Sequence, residues 1–371
     1  MKFSCEKAIL QEALSTTSWA VASKSAIPTL EGLLIEASDT VTITGYNLET
    51  GISTKIPSDV TEPGKVVINA KILSDIIRFF PDDIVTVSVS ETLTVLIMCG
   101  NAKYEIMGLP ADEFPNLPEI ESDHTLKLPQ NMLKSMISQT IFAISTNDNK
   151  PVHTGSLFEI ENGILNVVSV DGFRLAIRTE QLKNSSIDDA FSFIVPGHTL
   201  KEIEKIMDDV DEEIEIMLGK KHITFTIDQT TLISRVLEGE FLNYKNAIPK
   251  AHAFTTCVGV RDLISSLERV SIIINERIKN PVRCNFTENS MKLSCTTPLG
   301  KSQDECILKS AAEPLEIGFN NRYLLDALKA CPDSEVLMEL NTHLSPIILK
   351  PIEGNSYLYL ILPVRLKSDI E

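Results

Sequence analysis

Three clusters of carboxylates are the residues best placed to do chemistry in this chain: Asp82 with Asp83, Asp208 with Asp209 and Asp211, and Asp333 with Glu335. Paired carboxylates could share a proton as general acid and base, or hold magnesium through oxygen ligands. Their repetition argues against both uses. Each cluster follows the same kind of amphipathic stretch, and a reactive site has no reason to recur at three solvated turns, whereas turn formation and solubility favour carboxylates at every one. The six histidines, His124, His153, His198, His222, His252 and His343, stand at no metal-ligand spacing. Walker A, GxGxxG, GxSxG and HExxH motifs are missing from the sequence. No catalytic residue, metal ligand or cofactor is expected.

The basic residues are arranged differently. Taking Leu73, Leu200 and Leu324 as reference points, Lys71, His198 and Arg322 stand two positions before, and Arg78, Lys205 and Lys329 five positions after. The two offsets differ by two helical turns, so each pair falls on one line down a helix, about 150° from its apolar stripe. The equivalent helix of every third would thus show a cationic ridge away from its core. Asp75, Glu202 and Asp326, each three residues before the second base, could instead make ordinary exposed ion pairs, and both readings stay open.

The elements that carry these residues repeat roughly every 125 positions: VVINAKILSDIIRFFPDD from Val66, FIVPGHTLKEIEKIMDDVDEE from Phe193 and LEIGFNNRYLLDALKACPDSE from Leu315. Three, four and seven residues past the reference leucines come Ile76, Ile77, Phe80, then Ile203, Glu204, Met207, then Ala327, Leu328, Cys331, and only Glu204 breaks the apolar face. Each third also opens with a strand and a helix: AILQEALSTTSWAV from Ala8, NMLKSMISQTIFAI from Asn131 and RDLISSLERVSIII from Arg261. The second has the cleanest stripe, at Leu133, Met136, Ile137, Thr140, Ile141 and Ile144. Stretches of strand alternation follow every helix. The order describes an α+β fold of three tandem domains, each a βαβββ unit used twice. Proline-rich polar segments around Pro110 to Thr125 and Asn243 to Phe254 place the domains at residues 1–123, 124–251 and 252–371.

The bulk composition fits this plan. A chain of 371 residues, 43% of them hydrophobic, can build a core in each of three domains. No run approaches a membrane helix, and the opening MKFSCEKAILQEAL carries Glu6, Lys7 and Glu12 where a signal peptide needs an apolar stretch. Seven scattered cysteines without a CxxC pair argue for reduced thiols, and with the opening segment for the cytoplasm. The formal net charge of -17 taken alone opposes DNA binding, unless the bases are gathered on one surface and the acids spread elsewhere.

Four segments in order, the opening MKF with its helix, LPADEFPNLPEI, VDGFRLAIRTE and the terminal YLILPVRL, make the whole chain resemble the bacterial replicative sliding clamps, the beta subunits of DNA polymerase III. The resemblance implies a head-to-tail homodimer closing into a ring around double-stranded DNA, with helices lining the hole. It turns the ridges into the inner wall and adds Lys24, Lys150, Lys201 and Tyr323 to it. The ring holds DNA by topology, which accommodates the acidic charge. Implied partners are the replicative polymerase catalytic subunit, a clamp loader, and other replication and repair proteins carrying a clamp-binding motif; no cofactor, metal or membrane is implied.

The family's client-peptide pocket would here comprise His153, Val170, Gly172, Phe173, Arg174, Leu175, Leu242, Ala247, Pro346, Leu360, Leu362, Pro363, Val364, Arg365 and Leu366, with Arg174 and Arg365 at its rim. His153 replaces an expected aliphatic residue, Leu242 stands where many relatives have proline, and the tail KSDIE runs past the usual end. The family's subunit interface maps onto Tyr104 and Ile106 against Ile272 and Ile273. From the residues alone, VDGFRL reads as a hairpin and LYLILPVRL as a last strand. A clamp-like protein scaffold that encircles no DNA, and an enzyme working through the acidic turns, are the competing functions.

Overall fold

The computed structural model describes residues 1–147, 149–182, 190–274 and 280–366. The first third contains β1 (Lys2–Glu6), α1 (Lys7–Ser18), β2 (Gly32–Ala37), β3 (Val41–Tyr46), β4 (Thr50–Ile56), a short added strand β5 (Asp59–Glu62), β6 (Gly64–Asn69), α2 (Ala70–Phe79), β7 (Ile84–Val89), β8 (Thr94–Cys99) and β9 (Ala102–Met107). The second contains β10 (His124–Pro129), α3 (Gln130–Ser138), β11 (Gly155–Glu161), β12 (Ile164–Val170), β13 (Arg174–Gln181), β14 (Phe191–Pro196), α4 (Gly197–Ile206), β15 (Glu213–Leu218), β16 (His222–Ile227) and β17 (Thr230–Arg235). The third contains β18 (Phe254–Gly259), α5 (Val260–Ser271), β19 (Val282–Phe286), β20 (Ser290–Thr297), β21 (Gly300–Ile307), β22 (Leu315–Phe319), α6 (Asn321–Lys329), β23 (Glu335–Leu340), β24 (Ile347–Lys350) and β25 (Tyr357–Ile361). Strand, helix and three strands therefore recur twice in each third, the pattern that apolar periodicity predicts.

The chain forms two compact units, one of Met1–Met132 with Lys205–Val236, the other of Leu133–Glu204 with Leu237–Glu371. The division runs through the middle third because its two half-sheets join different neighbours. In the first unit β17 pairs antiparallel with β4, Leu232 opposite Ile52, extending β10-β15-β16-β17 through β4-β3-β2-β6 into eight strands. In the second, β13 pairs with β25, Ala176 opposite Tyr359, giving β14-β11-β12-β13-β25-β24-β23-β18. The remaining half-sheets stand at β5-β1-β7-β8-β9 in the first unit and β21-β20-β19-β22 in the second. Their strands alternate as expected: β8 sends Val95, Ile97 and Cys99 inward.

Helix starts are chemically specified. Asn69 caps α2 by accepting from the Ile72 N–H at 3.0 Å, and Asn320 caps α6 through the Arg322 N–H at 3.0 Å. The apolar faces then bury Leu73, Ile76 and Ile77 on α2, and Leu324, Ala327 and Leu328 on α6. On α4, Glu204 is half-buried and burial raises its carboxyl above the ordinary range, while Lys134 and Lys201 pull it back. Glu202, expected at the surface, is the more deeply buried of the two.

The second opening helix departs from its stripe. It ends at Ser138, and Ile141–Ala143 form a separate 3-10 turn. The buried Thr140 hydroxyl donates back to the Met136 carbonyl at 2.8 Å, a local bond that competes with helix continuation.

The acidic turns have one shared structural role. The Asp83, Val210 and Ser334 carbonyls accept the N–H groups of Lys7, Asn131 and Val260, at or beside the first residues of α1, α3 and α5, at 2.9 to 3.1 Å. Orphan donors of each helix are satisfied by the turn, and its carboxylates sit where the helix dipole favours negative charge. Lys7 pairs with Asp82 at 3.0 Å, and the Asn131 amide donates to Asp211 at 2.8 Å. No group of acids and histidines arranged to hold a metal occurs among the described residues.

Candidate binding sites

The ridge residues lie on the outward faces of their helices. Lys71 and Arg78 on α2, His198, Lys201 and Lys205 on α4, and Arg322 and Lys329 on α6 are all exposed, as are Lys24 and Lys150; Tyr323 is half-buried. The ion-pair alternative is realised on α2 as expected, Arg78 with Asp75 at 2.7 Å. Lys329 pairs with Glu268 on α5 at 2.8 Å rather than with Asp326. These exposed pairs are worth little, so phosphate can replace their acidic partners at small cost.

The β12–β13 hairpin forms as VDGFRL implies. Asp171 accepts from the Phe173 and Arg174 N–H groups at 2.9 and 3.1 Å, and Gly172 takes a φ of 90°, a left-handed value that glycine adopts without strain. The turn borders a cavity of about 600 Å³ lined by His153, Val170, Gly172, Phe173, Arg174 and Leu242, joined by Ile144 and by Lys150, Arg322 and Tyr323. Three residues expected on the DNA wall therefore share a cavity with the expected client site. Exposed Phe173 stacks on Tyr323 with ring centroids 6.1 Å apart.

The other expected pocket residues are dispersed. Leu175 and Leu360 are buried in a cluster with Val170, Tyr244 and Ile348, of which Val170 lines the cavity. Leu362, exposed, donates its N–H to the Phe173 carbonyl at 2.9 Å, since β25 ends at Ile361 before Pro363 and the chain turns away along the hairpin. Val364, Arg365 and Leu366 line a second cavity of about 580 Å³ with Arg283, Glu316, His343 and Leu344. Ala247 is exposed and Pro346 half-buried, outside the residues lining either cavity. The tail Lys367–Glu371 lies outside the described residues.

Arg174 is not at the rim. Its side chain is only 8% exposed, with Nε on Asp171 at 3.0 Å and a terminal nitrogen on Asp326 at 2.6 Å. Its guanidinium also lies over the Tyr323 ring, 4.5 Å from the centroid. Burial leaves a guanidinium charged, so it must be paired, and both carboxylates are taken for that purpose. Asp171 and Asp326 are the functional residues that sequence reasoning missed. The Asp-Gly turn signal points to the first; nothing local points to the second, 152 residues from its partner.

His153 is buried against Phe241, ring centroids 5.4 Å apart, and burial, with Lys150 nearby, lowers its pKa below the ordinary 6.5. The neutral form is therefore the folded form, and its contribution is intact above pH 6.5 and lost as pH falls through the depressed value. Peptide affinity at this cavity should be flat above pH 6.5 and decline below it, and His153→Gln should flatten that limb in a fluorescence titration.

The residues expected at a subunit interface sit beside sheet edges. β9 ends the five-stranded sheet and exposes Tyr104 and Met107, with Ile106 half-buried. Ile272, 81% exposed, and half-buried Ile273 follow α5. β21, at the end of the four-stranded sheet, exposes Ile307. Four of the other edge strands receive a backbone bond from outside the sheet: β6 from Leu109, β14 from Leu237, β18 from Lys309 and β22 from Val364.

Known proteins share this arrangement along the whole chain. The N-terminal, central and C-terminal domain families of the DNA polymerase III beta subunit match residues 1–118, 127–243 and 245–365. The beta sliding clamp of Bacillus subtilis is 30% identical over 98% of this chain and 100% of its own length. A crystal structure of the Bacillus subtilis DNA polymerase sliding clamp superposes with a TM-score of 0.95, at 30% identity, over 99% of this chain and 100% of that one. A sliding clamp from Pseudomonas aeruginosa bound to griselimycin gives 0.93 at 26% identity, over 99% and 100%. Three tandem domains, the doubled unit within each and full-length likeness to these proteins place the chain in the DNA polymerase III beta subunit family, the bacterial beta sliding clamps.

Proposed function

We propose that the chain acts without catalysis as a DNA polymerase processivity factor in the cytoplasm. Two copies, joined head to tail, encircle duplex DNA and tether the replicative polymerase and other clients. The reading takes three domains with boundaries near residues 123 and 251. The observation that carries it is the ridge: equivalent helices of all three domains present exposed bases at the same two positions, Lys71 and Arg78, His198 and Lys205, Arg322 and Lys329. A ring needs only such weak, sliding attraction, because topology supplies retention. The cavity beside the β12–β13 turn, lined by Ile144, Val170 and Leu242 and with the aromatic surface of Phe173 open to solvent, suits the leucine and phenylalanine anchors of a client peptide.

Closure is supported by the sheet edges at β9 and β21, which carry exposed apolar side chains. We place β9 of one copy against β21 of another, with Tyr104 and Ile106 facing Ile272 and Ile273, so that backbone groups at both edges are paired and their apolar side chains covered. Testing the wall is direct. Arg78→Glu, Lys205→Glu and Lys329→Glu together should sharply reduce loading and retention on circular DNA while the melting temperature moves little, since all three side chains are exposed. Unchanged retention by a folded dimer would return the ridge to surface ion pairing and favour a protein scaffold.

A further inference from the structure

The Asp326 carboxylate lies between the two sites. One oxygen, Oδ2, accepts from Arg174 at 2.6 Å and stands 3.9 Å from the Arg322 guanidinium on the same helix. Arg174 in turn holds Asp171, and Asp171 fixes the backbone N–H groups of Phe173 and Arg174 at the cavity mouth. Tyr323, next to Arg322, completes the connection, with Arg174 over one side of its ring and Phe173 stacked with it. Helix α6 thus offers a cation outward and, one turn on, the acid that organises the pocket turn.

We propose that Asp326 is a positioning residue that couples DNA contact at Arg322 to client binding at the β12–β13 turn. In the free protein two guanidinium groups share its charge. When a phosphate takes Arg322, the carboxylate is left to Arg174, the Asp171–Phe173 turn is held more firmly, and a client loses less freedom on binding it. By linkage the effect is reciprocal: a bound client frees Arg322 for phosphate. The structural consequence is a clamp that takes clients more readily once it is on DNA. The proposal rests on Arg322 belonging to the DNA wall and on this cavity being the client site.

The test is a fluorescence titration of the intact dimer with a labelled peptide carrying a glutamine followed by leucine and phenylalanine anchors. It is run with and without a saturating short blunt duplex, whose binding is followed by anisotropy in the same samples. Wild type should bind the peptide about fivefold tighter with duplex present, the lower end of ordinary coupling. Arg322→Gln should show the tighter affinity without duplex and gain nothing from it, the remaining ridge residues still binding the duplex. Asp326→Asn should bind the peptide more weakly and ignore the duplex, and Asp326→Glu should restore the response. If Asp326→Asn fails to fold, Arg322→Gln still decides, because its exposed side chain is dispensable for folding. Equal wild-type affinity in both conditions, or a duplex response surviving in Arg322→Gln, overturns the coupling while leaving the pocket in place. Wild-type protein that binds no peptide at all overturns the pocket assignment and the coupling with it.

Discussion

Ile272→Asp combined with Ile273→Asp should convert the dimer to monomer in sedimentation at micromolar concentration. Ile272 is almost wholly exposed in the single chain, so charging it leaves the fold of its own domain largely untouched. Ile273 is half-buried, and part of the cost of charging it falls on the monomer. In the proposed assembly both face Tyr104 and Ile106, and a carboxylate there must be desolvated without a partner, at several kcal/mol. Each 1.4 kcal/mol weakens association about tenfold, so even a fraction of that penalty moves dissociation into the measured range. The melting temperature of the mutant monomer separates interface loss from misfolding. A mutant that still sediments as a dimer would move the interface away from α5.

Arg174→Ala should have the largest effect of any single substitution at the client site. It leaves Asp171 and Asp326 facing one another with no cation between them, and Asp171 is itself only 12% exposed. Breaking a buried pair typically costs 3 to 5 kcal/mol; a value of about 3 kcal/mol is expected, since the Asp326 end remains partly hydrated. Peptide affinity should fall more than stability alone explains, because the turn that carries Phe173 is no longer fixed. Arg174→Lys should recover little, as an ammonium cannot reach both carboxylates with the spread of a guanidinium. Chemical denaturation and peptide titration on the same preparation read the two effects. Leu362→Ala is the companion control: its exposed side chain can be shortened without opening the core, whereas Leu175→Ala would leave a void in the buried cluster behind Val170 and mix binding with stability. Arg174→Ala protein with unaltered peptide affinity would show that clients do not use this turn.

The sequence carries the repeated architecture because it is written in local periods. The stripe Leu73, Ile76, Ile77 and Phe80 can only face a core as a helix, and Val95, Ile97 and Cys99 only as a strand. What periodicity does not record is which non-neighbouring elements meet. The pairings of β4 with β17 and of β13 with β25 fuse half-sheets from different thirds, and no residue of either strand announces its partner. The inward turn of Arg174 was hidden for the same reason. Beside a turn glycine an arginine reads as exposed, and only α6, bringing Asp326 to it, makes burial tolerable. The end of α3 shows the converse limit: Thr140, Ile141 and Ile144 keep the helical period, while the Thr140 hydroxyl diverts the backbone.

Encirclement is the central claim, and one measurement tests it directly. Protein loaded by a clamp loader onto closed circular DNA is passed through gel filtration in salt high enough to screen phosphate contacts, before and after the DNA is cut once. A ring should remain with the circle and leave the linear product by sliding off its ends. Equal retention on both forms, or loss from both, would contradict a topological hold on DNA.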